Sequence, residues 1–239
     1  MQSTFNSAIL SGLTLGAFAA CSITAQSLAG PVWELDYTDD AGQLAGTAQI
    51  ITSSLSPIIN IYGRLSTGFV NNDLVDMYQI AITTQTLVSI STAGGAGGGS
   101  ATFDSQLFIF KRKGGNGNNP RALALRANND AGPNNHGSRI GSETDPNSEY
   151  TLLSPGFYYL AIAGVGTTAV DGAGHAIWPD LATPGLTVSG NEVFMEDWAG
   201  SGQVGEYNIR LTAVGGGAAP SPGAIALLGL AGLVKRRRR

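Results

Sequence analysis

The feature that most limits how this chain can fold is the frequency with which it is broken. Segments such as AGGAGGGSA, KGGNGNNP, NNDAGPNNHGS and GTTAVDGAGH recur between short apolar runs. Glycine, proline and asparagine at that density do not fit helix interiors, and they favour turns because they accept left-handed backbone or hydrogen-bond to it. The runs between them have the period of strands. EYNIRLTA alternates Tyr207, Ile209 and Leu211 with Asn208, Arg210 and Thr212, and DMYQIAI places Tyr78, Ile80 and Ile82 on one face. Such alternation predicts antiparallel sheets with one face in water. SQLFIF and GFYYLAIAG are apolar on both faces and read as central strands, while PIINIYGRL and TLVSIST complete the clearer set.

Antiparallel strands without helices must close a barrel or pack as two sheets. The long, variable connections favour the second solution, so the expected fold is an all-β, antiparallel, jelly-roll-like β-sandwich. With 239 residues and 43% hydrophobic content, the chain can bury one substantial core.

The two ends differ from the body. Residues 1–29 have a polar start, an apolar run and small residues before Gly30, the layout of a secretory signal peptide. Residues 223–234 form 12 uninterrupted apolar or small residues followed by the basic run 235–239. As a helix they reach about 18 Å, short of a hydrocarbon core of roughly 30 Å. Ala218 onward and a snorkelling Lys235 extend that reach, and the arginines act as a cytoplasmic stop. The expected organisation is therefore a signal peptide at 1–29, a sandwich domain at 30–214, a linker at 215–222, a short transmembrane helix at 223–234 and a basic stop at 235–239. A permanent membrane anchor is the alternative reading of the same tail.

Charge separates the same regions. All 17 acidic residues lie between Glu34 and Glu206, whereas five of the 13 basic ones are Lys235 to Arg239, leaving eight cations in the body. So acidic a body repels phosphate backbones, excludes nucleic acid as a partner and attracts divalent cations. Cys21 is the single cysteine, so no intramolecular disulfide or cysteine-based zinc site forms within this chain.

Pro220, Ser221 and Pro222 before Gly223, then the apolar stretch, then Arg236, Arg237, Arg238 and Arg239 resemble the PEP-CTERM sorting signal read by exosortases. Serine stands where glutamate is usual in that family, as in planctomycete-type variants. The resemblance implies an exosortase-type membrane protease or transpeptidase as partner, passing contact with the membrane, cleavage near 220–223, and delivery to the cell surface or extracellular matrix. A second resemblance covers residues 58–214. NNDLVDMYQIAI, TFDSQLFIF, RANNDAGPNNHGSRI, SPGFYYLAIAG and GEYNIRLTA occur in the order found in the bacterial pre-peptidase C-terminal domain, a small β-sandwich appended to secreted proteins. It implies a non-enzymatic module, with calcium or matrix polymers among the ligands.

Calcium prefers six to eight oxygen ligands. Asp104, Asn129 and Asp130 carry the appropriate groups, and the resemblance implies that Asp73 or Asp76 lies near them; turn capping is the alternative role for all of these. Among the aromatic residues, Trp178 and Trp198 are the candidates for contact with a ligand such as a polysaccharide. Catalytic signals are weak: His136 and His175 lie in glycine- and asparagine-rich loops, no nucleophile elbow occurs, and Glu192, Glu196 and Asp197 of NEVFMEDW offer the paired carboxylates that glycoside chemistry uses. The sequence thus predicts an exported, non-enzymatic adhesive, structural or binding protein, with a carbohydrate-binding or glycoside-active protein as the alternative.

Overall fold

The computed structural model describes residues 40–51, 58–67, 72–95, 98–114, 120–141, 150–179, 181 and 187–214. The signal and tail segments, Cys21, Trp33, Pro220 to Gly223 and Arg236 to Arg239 lie outside the described residues.

The described chain is all-β. One sheet has the order β1 (Gln49–Ile50), β5 (Val75–Ile82), β12 (Gly156–Gly164), β8 (Ser105–Lys113), β9 (Arg121–Asn128) and β14 (Val188–Ser189), with β15 (Phe194–Met195) also on β9. The other has the order β10 (Arg139–Ile140), β6 (Thr86–Ser91), β17 (Glu206–Val214) and β2 (Asn60–Arg64), with β11 (Thr151–Leu153) on β6 and β7 (Ser100–Ala101) on β17. Two short ribbons, β13 (Thr167–Val170) with β16 (Asp197–Gly200) and β3 (Ser66–Thr67) with β4 (Asn72–Asp73), complete the set. Among the described residues no helix is long and apolar enough to cross a membrane.

The strands EYNIRLTA and DMYQIAI present the expected residues inward. Tyr78, Ile80 and Ile82 of β5 meet Val88 and Ile90 of β6 and Tyr207, Ile209 and Leu211 of β17 in one buried cluster, to which β8 adds Leu107 and Ile109 and β12 adds Tyr158, Leu160 and Ile162. SQLFIF and GFYYLAIAG are central: β12 is flanked by β5 and β8, with Tyr158 opposite both Ile80 and Lys111.

Two expectations are corrected. The sheets are not purely antiparallel, because β1 runs parallel to β5, placing Gln49 opposite Tyr78. A parallel neighbour needs a crossover connection, which the chain between β1 and β5 provides. The first sheet also has no wet face. Met77, Phe108, Phe110, Tyr159 and Ala161 form a second buried cluster on its outer side, covered by Trp178, Leu181, Ala169 and Met195. Ala169 and Met195 of that cover come from the segments GTTAVDGAGH and NEVFMEDW, which look like loops but contribute β13, β15 and the start of β16, and Trp178 and Leu181 come from the chain that follows the first. Burying the aromatic outer face outweighs the weak local strand preference of the covering segments.

The paired strands also define two ends. β8 starts at Ser105 beside Gly164, the last residue of β12, and it finishes beyond Lys111, which faces Tyr158 near the start of β12. One end of the first sheet therefore carries the approaches to β5 and β8, and the other carries the β8–β9 hairpin.

Candidate metal centre

Antiparallel pairing of β8 with β9 brings together the residue just before one strand and the residues just after the other. Leu107 faces Asn128, so Asp104 and Asp130 emerge at the same sheet end. The turn at 132–135, closed by the Asn135 amide donating to the Gly132 carbonyl at 3.0 Å, returns the chain so that His136 joins them. One oxygen from each carboxylate and a ring nitrogen of His136 lie within 4.8 Å of one another.

Neighbouring hydrogen bonds fix the loop. Ser138 donates its hydroxyl to the carbonyls of Ser105 and Asn129, and its amide donates to Thr92 Oγ1 at 2.9 Å. The Ser105 amide reaches the His136 carbonyl at 3.1 Å, and the Asn128 side chain donates to the Asp130 carbonyl at 3.1 Å. The backbone under the three side chains is thus tied to both sheets.

The carboxylates themselves are under-satisfied. Oδ1 of Asp104, Oδ1 of Asp130 and Oδ1 of the buried Asn129 have no hydrogen-bond donor. Burial pushes the Asp104 carboxyl above its ordinary range, the nearby Asp130 charge pushes it further, and His136 opposes both. His136 Nδ1 stands 3.3 Å from Asp104 Oδ2 and 3.8 Å from Asp130 Oδ1, with its side chain 74% exposed. A shallow cavity of about 300 Å³ opens beside it, lined by Thr92, Ser100, Phe103, Asn135 and His136 among others.

Asp76 does not join this group. It lies on β5, separated from β8 by β12, and its carboxylate gathers instead with Asp40 and Asp73, within 4.8 Å of one another. Asp76 is fully buried and accepts a 2.5 Å hydrogen bond from the Tyr207 hydroxyl. The shell expected as one is therefore two acidic centres. The sequence reading had no signal for His136 as the third member of the first, because the turn that returns it is set by backbone hydrogen bonds.

The remaining candidates have structural settings. Trp178 is 3% exposed and packs against Phe108 and Phe110 at centroid distances of 5.4 and 5.6 Å. Trp198 meets the same two rings at 5.0 and 6.2 Å and donates its Nε1–H to the Gln43 carbonyl at 2.7 Å. Both indoles pack on the outer cluster, Trp178 buried and Trp198 half-buried. Glu196 is paired with Arg121 at 2.7 Å, and Glu192 is exposed at a turn tip. His175 is 80% exposed beside Asp171, whose carboxylate caps the amides of Ala173 and His175 at 2.9 Å each.

Fold and site together define the class: an all-β two-sheet protein with acidic centres at one sheet end. No family model matches the chain, and no curated protein does. Among solved structures it is similar to the pre-peptidase C-terminal domain of a collagenase from Bacillus anthracis, at 12% identity and a TM-score of 0.31, over 69% of this chain and 93% of that one.

Proposed function

We propose that this jelly-roll-like sandwich of pre-peptidase C-terminal type is a non-enzymatic, exported surface or matrix module, sorted through its C-terminal signal and stabilised by a divalent cation. The observation that carries the cation is the convergence of Asp104 and Asp130, each with a carboxylate oxygen that no donor satisfies. A dication between them offsets their mutual repulsion and replaces the missing hydrogen bonds. Calcium fits the carboxylates, supplemented by carbonyls and water, and the exposed His136 ring is free to turn aside. Zinc or manganese would recruit the imidazole as well.

Export and sorting rest on the two terminal sequences. In this reading the tail holds the protein at the membrane until cleavage near 220–223 releases the sandwich, and the matrix polymers of the surface are its surroundings. The test has two measurements. Terminal peptides from the native host's extracellular fraction should begin near Gly30 and end near Pro222; retention of Arg239 in the membrane fraction overturns sorting. Thermal unfolding should shift upward with millimolar calcium and return on chelation, and Asp104→Asn with Asp130→Asn should abolish the shift. An unchanged midpoint in the wild-type protein overturns the cation.

A further inference from the structure

The body carries eight lysine and arginine residues before position 215, and four of them lie on one hairpin: Lys111, Arg112 and Lys113 at the end of β8 and Arg121 at the start of β9. Lys113 faces Arg121 and Arg112 faces Ala122 across the pair. Arg121 is occupied by Glu196, and Arg112 donates to Gln79 at 3.2 Å. Lys111 and Lys113 have no carboxylate partner among the described residues, and Lys113 is exposed.

The strand pairings place the chain's exit at the same end. Gly156 lies opposite Ile82, the last residue of β5, and only three residues separate Ile82 from Thr86 at the start of β6. Val214, the last residue of β17, pairs with Leu87, which in turn faces Leu152 of β11. Leu87 and Leu152 are 41% and 52% exposed, two of the four large apolar side chains exposed among the described residues. One end thus gathers the basic hairpin, an exposed leucine pair and the point from which the chain continues toward the apolar stretch 223–234. The acidic centres occupy the opposite end, since Asp76 lies at the start of β5 and Asp104 and Asp130 flank the far ends of β8 and β9.

From this juxtaposition we infer that the hairpin end is a docking face for an anionic lipid surface, and that it sets the sandwich upright on the membrane while the tail is attached. The inference rests on the reading of residues 223–234 as a membrane segment. Negatively charged headgroups attract the lysines and repel the acidic end, so the charge separation selects one orientation. The leucines add apolar contact at the interface. Docking is reversible, and cutting the tail leaves only the electrostatic contact and that of two leucines, together too weak to hold the released module.

The experiment reconstitutes the full chain into vesicles of phosphatidylcholine alone or with phosphatidylglycerol. Flotation reports tail insertion, and acetylation of Lys111 and Lys113, read by mass spectrometry, reports docking. Expected are flotation with both vesicles and acetylation roughly fivefold slower on the anionic ones, with the difference collapsing in high salt. Equal rates on the two surfaces, with flotation intact, overturn docking and leave the tail reading standing. Failure to float with either vesicle overturns the membrane reading and the docking with it.

Discussion

Tyr207 of β17 donates its hydroxyl to the fully buried carboxyl group of Asp76 on β5 at 2.5 Å, joining the two sheets through a buried acidic side chain. Tyr78 continues the chain, its hydroxyl 2.5 Å from that of Tyr207. With Tyr207 donating to the carboxylate, Tyr78 donates to Tyr207, and each hydroxyl proton is used. The arrangement also fixes Gly63: a Cβ there would lie 2.2 Å from the Tyr207 hydroxyl oxygen and 3.0 Å from that of Tyr78.

Removal of the donor is expected to be costly. Tyr207→Phe should destabilise the fold by about 1–3 kcal/mol, the range for a buried polar group left without its partner, read from the shift in the urea midpoint. Gly63→Ala should destabilise by displacing the tyrosine, and the double variant should cost somewhat less than the sum, because the phenylalanine brings no oxygen into the new methyl although its ring carbon Cζ, 2.5 Å from the added Cβ, still has to shift. Strict additivity of the two changes would contradict the geometry.

The turn between β14 and β15 offers a gain. Asn191 and Glu192 both have positive φ, 49° and 57°, and the Val193 amide reaches the Gly190 carbonyl at 3.2 Å. This is a two-residue turn of the type that asparagine–glycine satisfies best. Glutamate in the left-handed region costs roughly 1 kcal/mol, so Glu192→Gly should raise the thermal midpoint by about 2–4 °C. Because Glu192 is exposed and Glu196 is already paired with Arg121, the substitution leaves the rest of the surface unchanged.

The part of the fold legible in the sequence is the part with a two-residue period and no competing cover. Tyr207, Ile209 and Leu211 read inward because the outer face of β17 carries Asn208, Arg210 and Thr212. β5 is half legible: Tyr78, Ile80 and Ile82 read inward from the alternation, but Met77 and Gln79 on the other face are buried as well, beneath the outer layer. Nothing local marks that layer, since Ala169, Trp178 and Met195 come from segments rich in glycine and acids and order themselves only against Phe108 and Phe110. The same distinction holds for the site. Asp104 and Asp130 are candidates by residue type and by the resemblance of residues 58–214, whereas His136 arrives through a backbone turn and Asp76 sits on a strand separated from β8 by β12, bonded to a tyrosine distant in sequence.

The outer layer gives its own expectation. Trp178→Ala removes a buried indole from between Phe108, Phe110 and the covering segment, and should cost about 3–5 kcal/mol. Trp198→Ala, at a half-buried position with one hydrogen bond to Gln43, should cost less. Chemical denaturation of the two variants orders them; a reversed order would place the anchor of the cover on the wrong ring.

Two carboxylates give opposite pH dependence. Asp104 has its folded pKa raised above 3.8, first by burial and then by Asp130, so the native state holds its proton where the unfolded chain has lost it. Its contribution is full below the unfolded value and is lost as pH rises through the raised folded value, so acidification across that window stabilises the cation-free protein. Asp171 is depressed by the amides of His175 and Ala173, so its contribution is present above 3.8 and lost as pH falls through its lowered value. Asp104→Asn should therefore flatten the upper window while leaving the acid limb, and Asp171→Asn should do the reverse. Urea midpoints measured in chelator from neutral pH down to roughly pH 3, below the ordinary carboxylate range, separate them. Adding calcium should remove or invert the Asp104 window and leave that of Asp171, because a bound cation favours the ionised form of the carboxylate it contacts.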